Sequence, residues 1–139
     1  LAATQVFYDR HVCRVVPMPQ DFVDSERQME AEPTVYHTMN GVNEFFVTGT
    51  LQDWTVVDRL DAVAVPTLVI AGEHDEATPI TWAPFVERIP DVREHVFPGA
   101  SHCTHLEQPE AFRAVVAAFL ADHDGAATAD PAVAVPSPS

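Results

Sequence analysis

The sequence predicts an α/β fold in which short parallel strands alternate with helices. Residues 65–72 form an unbroken apolar run that is rich in β-branched side chains and closes on Gly72, and residues 93–97 form a second short strand pattern. Such runs are typical of strands in a parallel sheet that is covered on both faces. Each is followed by a helix pattern, and the order β-α-β-α predicts half of a parallel sheet with flanking helices.

The two predicted helices show apolar residues at helical spacing. The first covers residues 79–89 and begins at Pro79; its apolar positions are Trp82, Phe85, Val86 and Ile89. The second covers residues 109–121, and its apolar pairs recur every four residues, at Ala111/Phe112, Val115/Val116 and Phe119/Leu120. We expect these pairs to form one broad buried stripe against the sheet.

The first 60 residues have a different pattern. Residues 1–35 predict two helices, the first ended by Pro17-Met18-Pro19 and the second, over residues 21–32, ended by Pro33. Residues 36–60 mix aromatic residues with glycines, which predicts short elements and turns.

From His123 the sequence is rich in Ala, Pro, Ser and Thr, and we predict that residues 123–139 are a disordered tail, because few large apolar side chains offset the entropy cost of ordering.

The composition excludes several classes of protein. The 139 residues hold 7 Lys and Arg against 21 Asp and Glu, a formal net charge of −14, and 47% are hydrophobic, as in globular proteins. The negative charge repels phosphate backbones and anionic lipid, so we expect neither nucleic acid nor a membrane as a partner. No apolar stretch is long enough to cross a bilayer, and no signal-peptide pattern is visible, so we expect a cytoplasmic location.

The cysteines and two of the histidines give no indication of a metal site. Cys13 and Cys103 are far apart and neither lies in a C-x-x-C pattern, so we expect two inert thiols, neither a disulfide nor a zinc ligand. His74 and His105 lack the spacing of metal ligands on one helix face. We therefore expect neither a metal nor a cofactor.

An aspartate and a histidine occupy matching places after the two strands. Asp75 is three residues after Gly72, and His102 is three residues after Gly99. Loops after the carboxyl ends of parallel strands converge on one crevice, where an aspartate can orient an imidazole and stabilise its protonated form. Taken singly, each residue could be an ordinary turn or solvated side chain. Together they have the order found in α/β-hydrolases, whose catalytic residues run Ser, Asp or Glu, then His.

Several motifs in register resemble the proline iminopeptidase family of α/β-hydrolases. Residues 36–45, YHTMNGVNEF, resemble that family's Y-x-x-M-x-G-P-[SN]-E-F segment, with Val42 in place of the usual Pro. The other similar segments are His11-Val12-Cys13-Arg14, Gly49-x-Leu51-x-Asp53-Trp54, Val65-Pro66-Thr67-Leu68, Gly72-x-x-Asp75-Glu76-x-Thr78-Pro79 and Gly99-x-Ser101-His102. The resemblance covers residues 6–121. It implies the C-terminal half of an α/β-hydrolase core, residues 53–122, preceded by the end of a helical cap domain, residues 1–52, and followed by the tail.

The resemblance also implies a role for five residues. Asp75 and His102 match the acid and base of the catalytic triad, and Glu44 and Glu76 match acidic residues that receive the free α-amino group of a peptide substrate. Tyr36 matches a tyrosine near that amine site. A free N-terminal amine is a cation at neutral pH, so carboxylates can bind it through charge-assisted hydrogen bonds.

The nucleophile of such an enzyme is not in this sequence. Its serines, Ser25, Ser101, Ser137 and Ser139, do not lie in a G-x-S-x-G elbow, so we expect the nucleophile and the oxyanion-hole loop to precede Leu1. The leading interpretation is a fragment, inactive alone, of a serine aminopeptidase that releases N-terminal proline or another small apolar residue. Two alternatives stay open: another cap-bearing hydrolase, such as an esterase, amidase or epoxide hydrolase, or a non-catalytic acidic interaction module.

Overall fold

The computed structural model describes residues 2–43 and 45–124. Glu44, one of the predicted amine-binding residues, and residues 125–139 of the predicted tail lie outside the described residues. The tail was predicted to begin at His123, but His123 is the last residue of a helix and Asp124 is a turn. That helix therefore continues two residues beyond its predicted end at residue 121.

Helices precede a short α/β unit along the chain. The elements in order are α1 (Ala2–His11), α2 (Gln20–Ala31), α3 (Thr34–Met39), a 3-10 helix (Val57–Ala62), β1 (Thr67–Gly72), α4 (Pro79–Arg88), β2 (Val92–Phe97), α5 (Thr104–Glu107) and α6 (Pro109–His123). The predicted β-α-β-α order is therefore confirmed. The proline-rich segment separates α1 from α2 as predicted, because proline cannot continue a helix. No helix in the described part of the chain is long and apolar enough to cross a membrane.

The two strands pair in parallel, and their carboxyl ends lie side by side. Thr67 is opposite Val92 at one end of the ladder and Gly72 is opposite Phe97 at the other. Within the described residues β1 is only half-buried before Ala71, although its apolar pattern is typical of a strand that is covered on both faces. The described sheet has two strands, so little structure is present to cover both faces.

Several of the most buried residues lie where β2 ends. Phe97 is 1% exposed, and Ala100 and Ser101 are fully buried. The ring of Phe97 packs against His95 in β2, with centroids 4.5 Å apart, and against Phe112 in α6, at 6.2 Å. This packing attaches α6 to the strand and supports the loop that follows β2.

The apolar stripe of α6 is narrower than predicted. Phe112, Val115, Val116 and Phe119 are half-buried, whereas Ala111 and Leu120 are exposed. Neighbouring helical residues point about 100° apart, so both members of an adjacent pair seldom face the sheet equally. The half-buried residues follow the i, i+3, i+4, i+7 spacing of a single helix face.

Candidate active site

The loops after β1 and β2 bring Asp75 and His102 into contact. Nδ1 of His102 lies 3.0 Å from Oδ1 of Asp75. A carboxylate accepts hydrogen bonds, so this contact assigns the proton to Nδ1 and leaves Nε2 as the ring nitrogen that can accept a proton. The two loops thus converge as predicted, since a side chain of one loop is hydrogen-bonded to a side chain of the other.

The carboxylate of Asp75 is held within its own turn. Its Oδ1 accepts a hydrogen bond from the amide of Ala77 at 2.9 Å, and its Oδ2 accepts one from the amide of Gly72 at 3.3 Å. Its side chain is 6% exposed, whereas that of His102 is 52% exposed. The aspartate is therefore immobilised below the surface, and the imidazole remains accessible to a reacting group.

Side chains from neighbouring elements hold the loop that carries His102. The carboxylate of Glu73 accepts a hydrogen bond from the amide of Gly99 at 2.8 Å. The side-chain amide of Gln108, between α5 and α6, donates to the carbonyl of Pro98 at 2.7 Å. Both contacts restrain residues between the end of β2 and His102, so they limit the conformations of the loop that carries His102.

The end of α1 joins the two loops. The carbonyl of His11 accepts hydrogen bonds from the amides of Glu76, at 3.2 Å, and His102, at 3.1 Å. The imidazole Nδ1 of His11 contacts the carbonyl of His74 at 2.8 Å, and because a carbonyl only accepts, Nδ1 of His11 is the donor. One residue of the N-terminal helical region therefore contacts both loops of the α/β unit.

Glu76 and Tyr36 line one cavity of about 400 Å³. The cavity lies between the helical region and the loop after β1, and two glutamates of α2, Glu26 and Glu30, also line it. Tyr36 and Glu76, predicted to lie near one amine site, are thus on the same cavity. Glu76 directly follows Asp75 in the chain, so the cavity reaches the loop that carries the aspartate.

Both cysteines are buried free thiols. Burial raises the pKa of the Cys13 thiol, and it raises the pKa of Cys103 to about 11, with the negative charges of neighbouring acidic groups adding to the effect. Both thiols are therefore protonated at neutral pH, the form that is neither a good nucleophile nor a metal ligand. Among the described residues, no group of three or more metal-ligating side chains comes together.

Two contributors to this site were not predicted from the sequence. His11 acts through its backbone carbonyl, and a carbonyl has no residue-type signature. Glu107 accepts hydrogen bonds from the amide of Ser101 at 2.8 Å and from the Ser101 hydroxyl. The one available signal was a carboxylate five residues after His102 and two residues before the proline that begins α6.

Comparison with known proteins identifies relatives over most of the chain. Residues 2–115 match the sequence profile of the alpha/beta hydrolase family. A proline iminopeptidase from Thermoplasma volcanium is 35% identical over 118 residues, which are 85% of this chain and 40% of the relative. A proline iminopeptidase from Saccharolobus solfataricus is 32% identical over 120 residues, 86% of this chain and 38% of the relative.

Solved structures agree with the sequence comparisons. The crystal structure of proline iminopeptidase from Mycobacterium smegmatis is 75% identical, with a TM-score of 0.87 over 91% of this chain and 42% of its own. The crystal structure of VinJ is 52% identical, with a TM-score of 0.83 over 87% of this chain and 41% of its own. The resemblance predicted from the motifs is confirmed, and this chain spans about 40% of the length of the relatives that it matches.

Proposed function

This chain belongs to the alpha/beta hydrolase family, and we propose that the complete protein is a serine aminopeptidase of the proline iminopeptidase type. Its reaction is the release of N-terminal proline, or another small apolar residue, from a peptide. The observation that carries the proposal is the hydrogen bond between the buried Asp75 and the accessible imidazole of His102. The similarity to proline iminopeptidases supports the choice of substrate class.

His102 and Asp75 perform the proton transfers in the proposed mechanism. A serine of the complete protein that is not in this sequence attacks the carbonyl carbon of the first peptide bond. Nε2 of His102 takes the hydroxyl proton of that serine as the bond forms. The imidazolium, stabilised by Asp75, then gives that proton to the leaving amine, and the acyl-enzyme forms. Water repeats the cycle: His102 takes a proton from it as it attacks the ester, and returns the proton to the serine.

Two carboxylates, Glu76 and Glu44, determine the proposed preference for a free N-terminus. Glu76 lines the cavity beside the Asp75 loop, and Glu44 completes the proposed pair that binds the substrate ammonium through charge-assisted hydrogen bonds. Tyr36 lies on the same cavity and contributes a wall near that amine. An internal peptide bond has no ammonium group at this position, so the arrangement favours an exopeptidase.

The proposed partners and location follow from the same chemistry. The substrate is a peptide with a free N-terminus, and the net charge of −14 disfavours nucleic acid and anionic membranes as partners. We place the protein in the cytoplasm, because two buried free cysteines are typical of a reducing compartment. Fractionation of the native host tests the location, and recovery in a secreted or membrane fraction would contradict it.

The experiment that tests the function compares two substrates on the complete protein. We expect kcat/KM for proline β-naphthylamide to exceed kcat/KM for p-nitrophenyl acetate. N-acetylation of the prolyl substrate should remove most of that activity, because the ammonium group is lost. Turnover of the ester without turnover of the prolyl amide would overturn the aminopeptidase assignment and favour another hydrolase.

A further inference from the structure

We propose that Glu107 is a positioning residue that sets the place of His102 relative to Asp75. The inference rests on the proposed function for its catalytic readout. Glu107 is the last residue of α5, and its half-buried carboxylate turns back toward the loop after β2. It accepts hydrogen bonds from the amide and the hydroxyl of Ser101, the residue directly before His102.

Three donors converge on this one carboxylate. Oε2 of Glu107 accepts from the Ser101 amide at 2.8 Å, and Oε1 accepts from the Ser101 hydroxyl and from the amide of Arg14 at 3.2 Å. Two of the donors are backbone N–H groups, which can only donate. A glutamine at this position has a single oxygen, so in either orientation its NH2 group faces one of the two backbone amides. The site therefore requires a carboxylate and does not accept an amide of the same shape.

The two loops share some anchors, such as the carbonyl of His11, but each member of the pair also has anchors of its own. Asp75 is held by amides of its own turn, those of Gly72 and Ala77. On the other side, Ser101 is fully buried and its hydroxyl donates to Glu107. Loss of the Glu107 contacts leaves buried donors unsatisfied and shifts the loop of His102 while the Asp75 turn keeps its anchors. The distance between His102 and Asp75 is then the quantity that changes.

The cavity that we assign to substrate binding is lined by Glu76 and Tyr36, not by Glu107. A shift of the imidazole therefore affects proton transfer more than substrate binding. Misplacement of a catalytic group by about 1 Å can lower the rate about 100-fold. We expect Glu107→Gln to lower kcat by about 10-fold to 100-fold while KM changes by less than about 2-fold.

The experiment uses the complete protein with three variants. Glu107→Gln removes the second acceptor oxygen, and Ser101→Ala removes the hydroxyl without a change of charge. Glu110→Gln is the matched control, because Glu110 lies on α6, its side chain is 90% exposed and it pairs with Arg113 on the same helix. We expect a large loss of kcat for Glu107→Gln, a smaller loss for Ser101→Ala and wild-type kinetics for Glu110→Gln.

A spectroscopic readout separates positioning from stability. The imidazole N–H of His102 that faces Asp75 should give a downfield proton resonance, assigned by its absence in Asp75→Asn. We expect Glu107→Gln to weaken or remove this resonance at a temperature where circular dichroism shows a folded protein. An unchanged resonance and unchanged kcat, with only a lower melting temperature, would overturn the positioning role, as would a rise in KM at constant kcat.

Failure of this inference is distinguishable from failure of the proposed function. If the wild type cleaves p-nitrophenyl esters but not prolyl amides, the aminopeptidase assignment fails, and the ratio of variant to wild-type ester turnover still decides the role of Glu107. If neither substrate is cleaved, the resonance of His102 decides it without any activity.

Discussion

Nδ1 of His102 lies 3.0 Å from Oδ1 of Asp75, although the two residues are 27 positions apart in the chain. The contact forms because β1 and β2 pair in parallel, which places the loops that follow them on one edge of the sheet. The aspartate is buried and the histidine is exposed, so the two nitrogens of the imidazole have different surroundings. One ring nitrogen is oriented by the protein, and the other is available to a substrate or nucleophile.

The first prediction concerns this pair. In the complete protein, His102→Ala should lower kcat by several orders of magnitude with a modest change in KM, because the general base is lost. Asp75→Asn should lower kcat by a factor on the order of 10⁴, since an amide favours the wrong tautomer of the imidazole. Steady-state kinetics on a prolyl amide measure both.

His105→Ala is the control for the histidine variant. His105 is also exposed and lies three residues further on, in α5, where its ring packs against Phe112 with centroids 5.9 Å apart. Its loss should leave kcat near the wild-type value. Nearly full activity in His102→Ala or Asp75→Asn would remove these residues from the mechanism.

The second prediction concerns recognition of the substrate amine. Glu44→Gln and Glu76→Gln each remove a charge while keeping the shape of the side chain. Each charged hydrogen bond contributes about 1.5–3 kcal/mol, so kcat/KM for a prolyl amide should fall about 10-fold to 150-fold. With Glu44→Gln, turnover of the N-acetylated substrate should be unaffected, because that substrate has no ammonium group for the carboxylate to bind.

Glu44→Gln is the sharper variant of the two. Glu76 is adjacent to Asp75, so its charge also acts on the catalytic pair. Glu87→Gln on the exposed side of α4 serves as the control for a change in total charge. If Glu44→Gln lowers the activity equally on both substrates, Glu44 supports the fold or the shape of the pocket and does not recognise the amine.

The third prediction concerns the close approach of the two loops. A Cβ atom at Gly72 would lie 2.3 Å from the carbonyl oxygen of Ser101 and 2.6 Å from that of Ala100. Because these are backbone atoms, Gly72→Ala forces the loops apart; we expect a loss of about 1–3 kcal/mol of unfolding free energy. The activity should fall as well, since the loops carry Asp75 and His102.

Gly99→Ala provides the comparison. A Cβ at Gly99 meets nothing within 4 Å, but its φ is +73°, a left-handed conformation that costs other residues about 1–2 kcal/mol. We expect this variant to lose stability in urea denaturation and to keep most of its kcat. A Gly72→Ala protein with wild-type kcat would show that the separation of the loops does not affect the chemistry.

The fourth prediction concerns Cys103 and pH. Burial raises the pKa of this thiol from an ordinary value of 9.0 to about 11, so the unfolded protein loses the proton at lower pH than the folded protein. The contribution to stability is therefore fully present below pH 9 and is lost as the pH rises through about 11. Denaturation curves over this range should show the decline, and Cys103→Ala should lack that part of it.

Alkylation tests the same thiol directly. Iodoacetamide at pH 8 should modify Cys103 far more slowly in the folded protein than in urea, because the thiolate is the reactive species and burial suppresses it. Rapid modification in the folded state, at a rate close to that in urea, would contradict both the burial and the raised pKa.

Part of the site could be predicted because its signals are local. Asp75 and His102 each follow a glycine at the end of a short apolar run, and parallel pairing of neighbouring strands is the standard outcome of β-α-β connections. Glu107 and the carbonyl of His11 could not be predicted in the same way. The bond from Arg14 to Glu107 and the bonds to the His11 carbonyl join elements that are distant in the chain. The bonds from Ser101 to Glu107 span only six residues, but they depend on how the loop after β2 folds back on α5.

The sequence by itself determined the order of strands and helices and the identity of the groups able to move a proton, because periodicity and residue chemistry act over a few positions. The tertiary structure alone decided which side chains are buried and which backbone amides are hydrogen-bonded to distant groups. Among the described residues β1 is only half-buried, because they hold two strands of the sheet and a strand's own pattern does not encode how many neighbours it has. The hydrogen bonds of Glu107 and His11 likewise exist only after α5 and the end of α1 have packed beside the two loops.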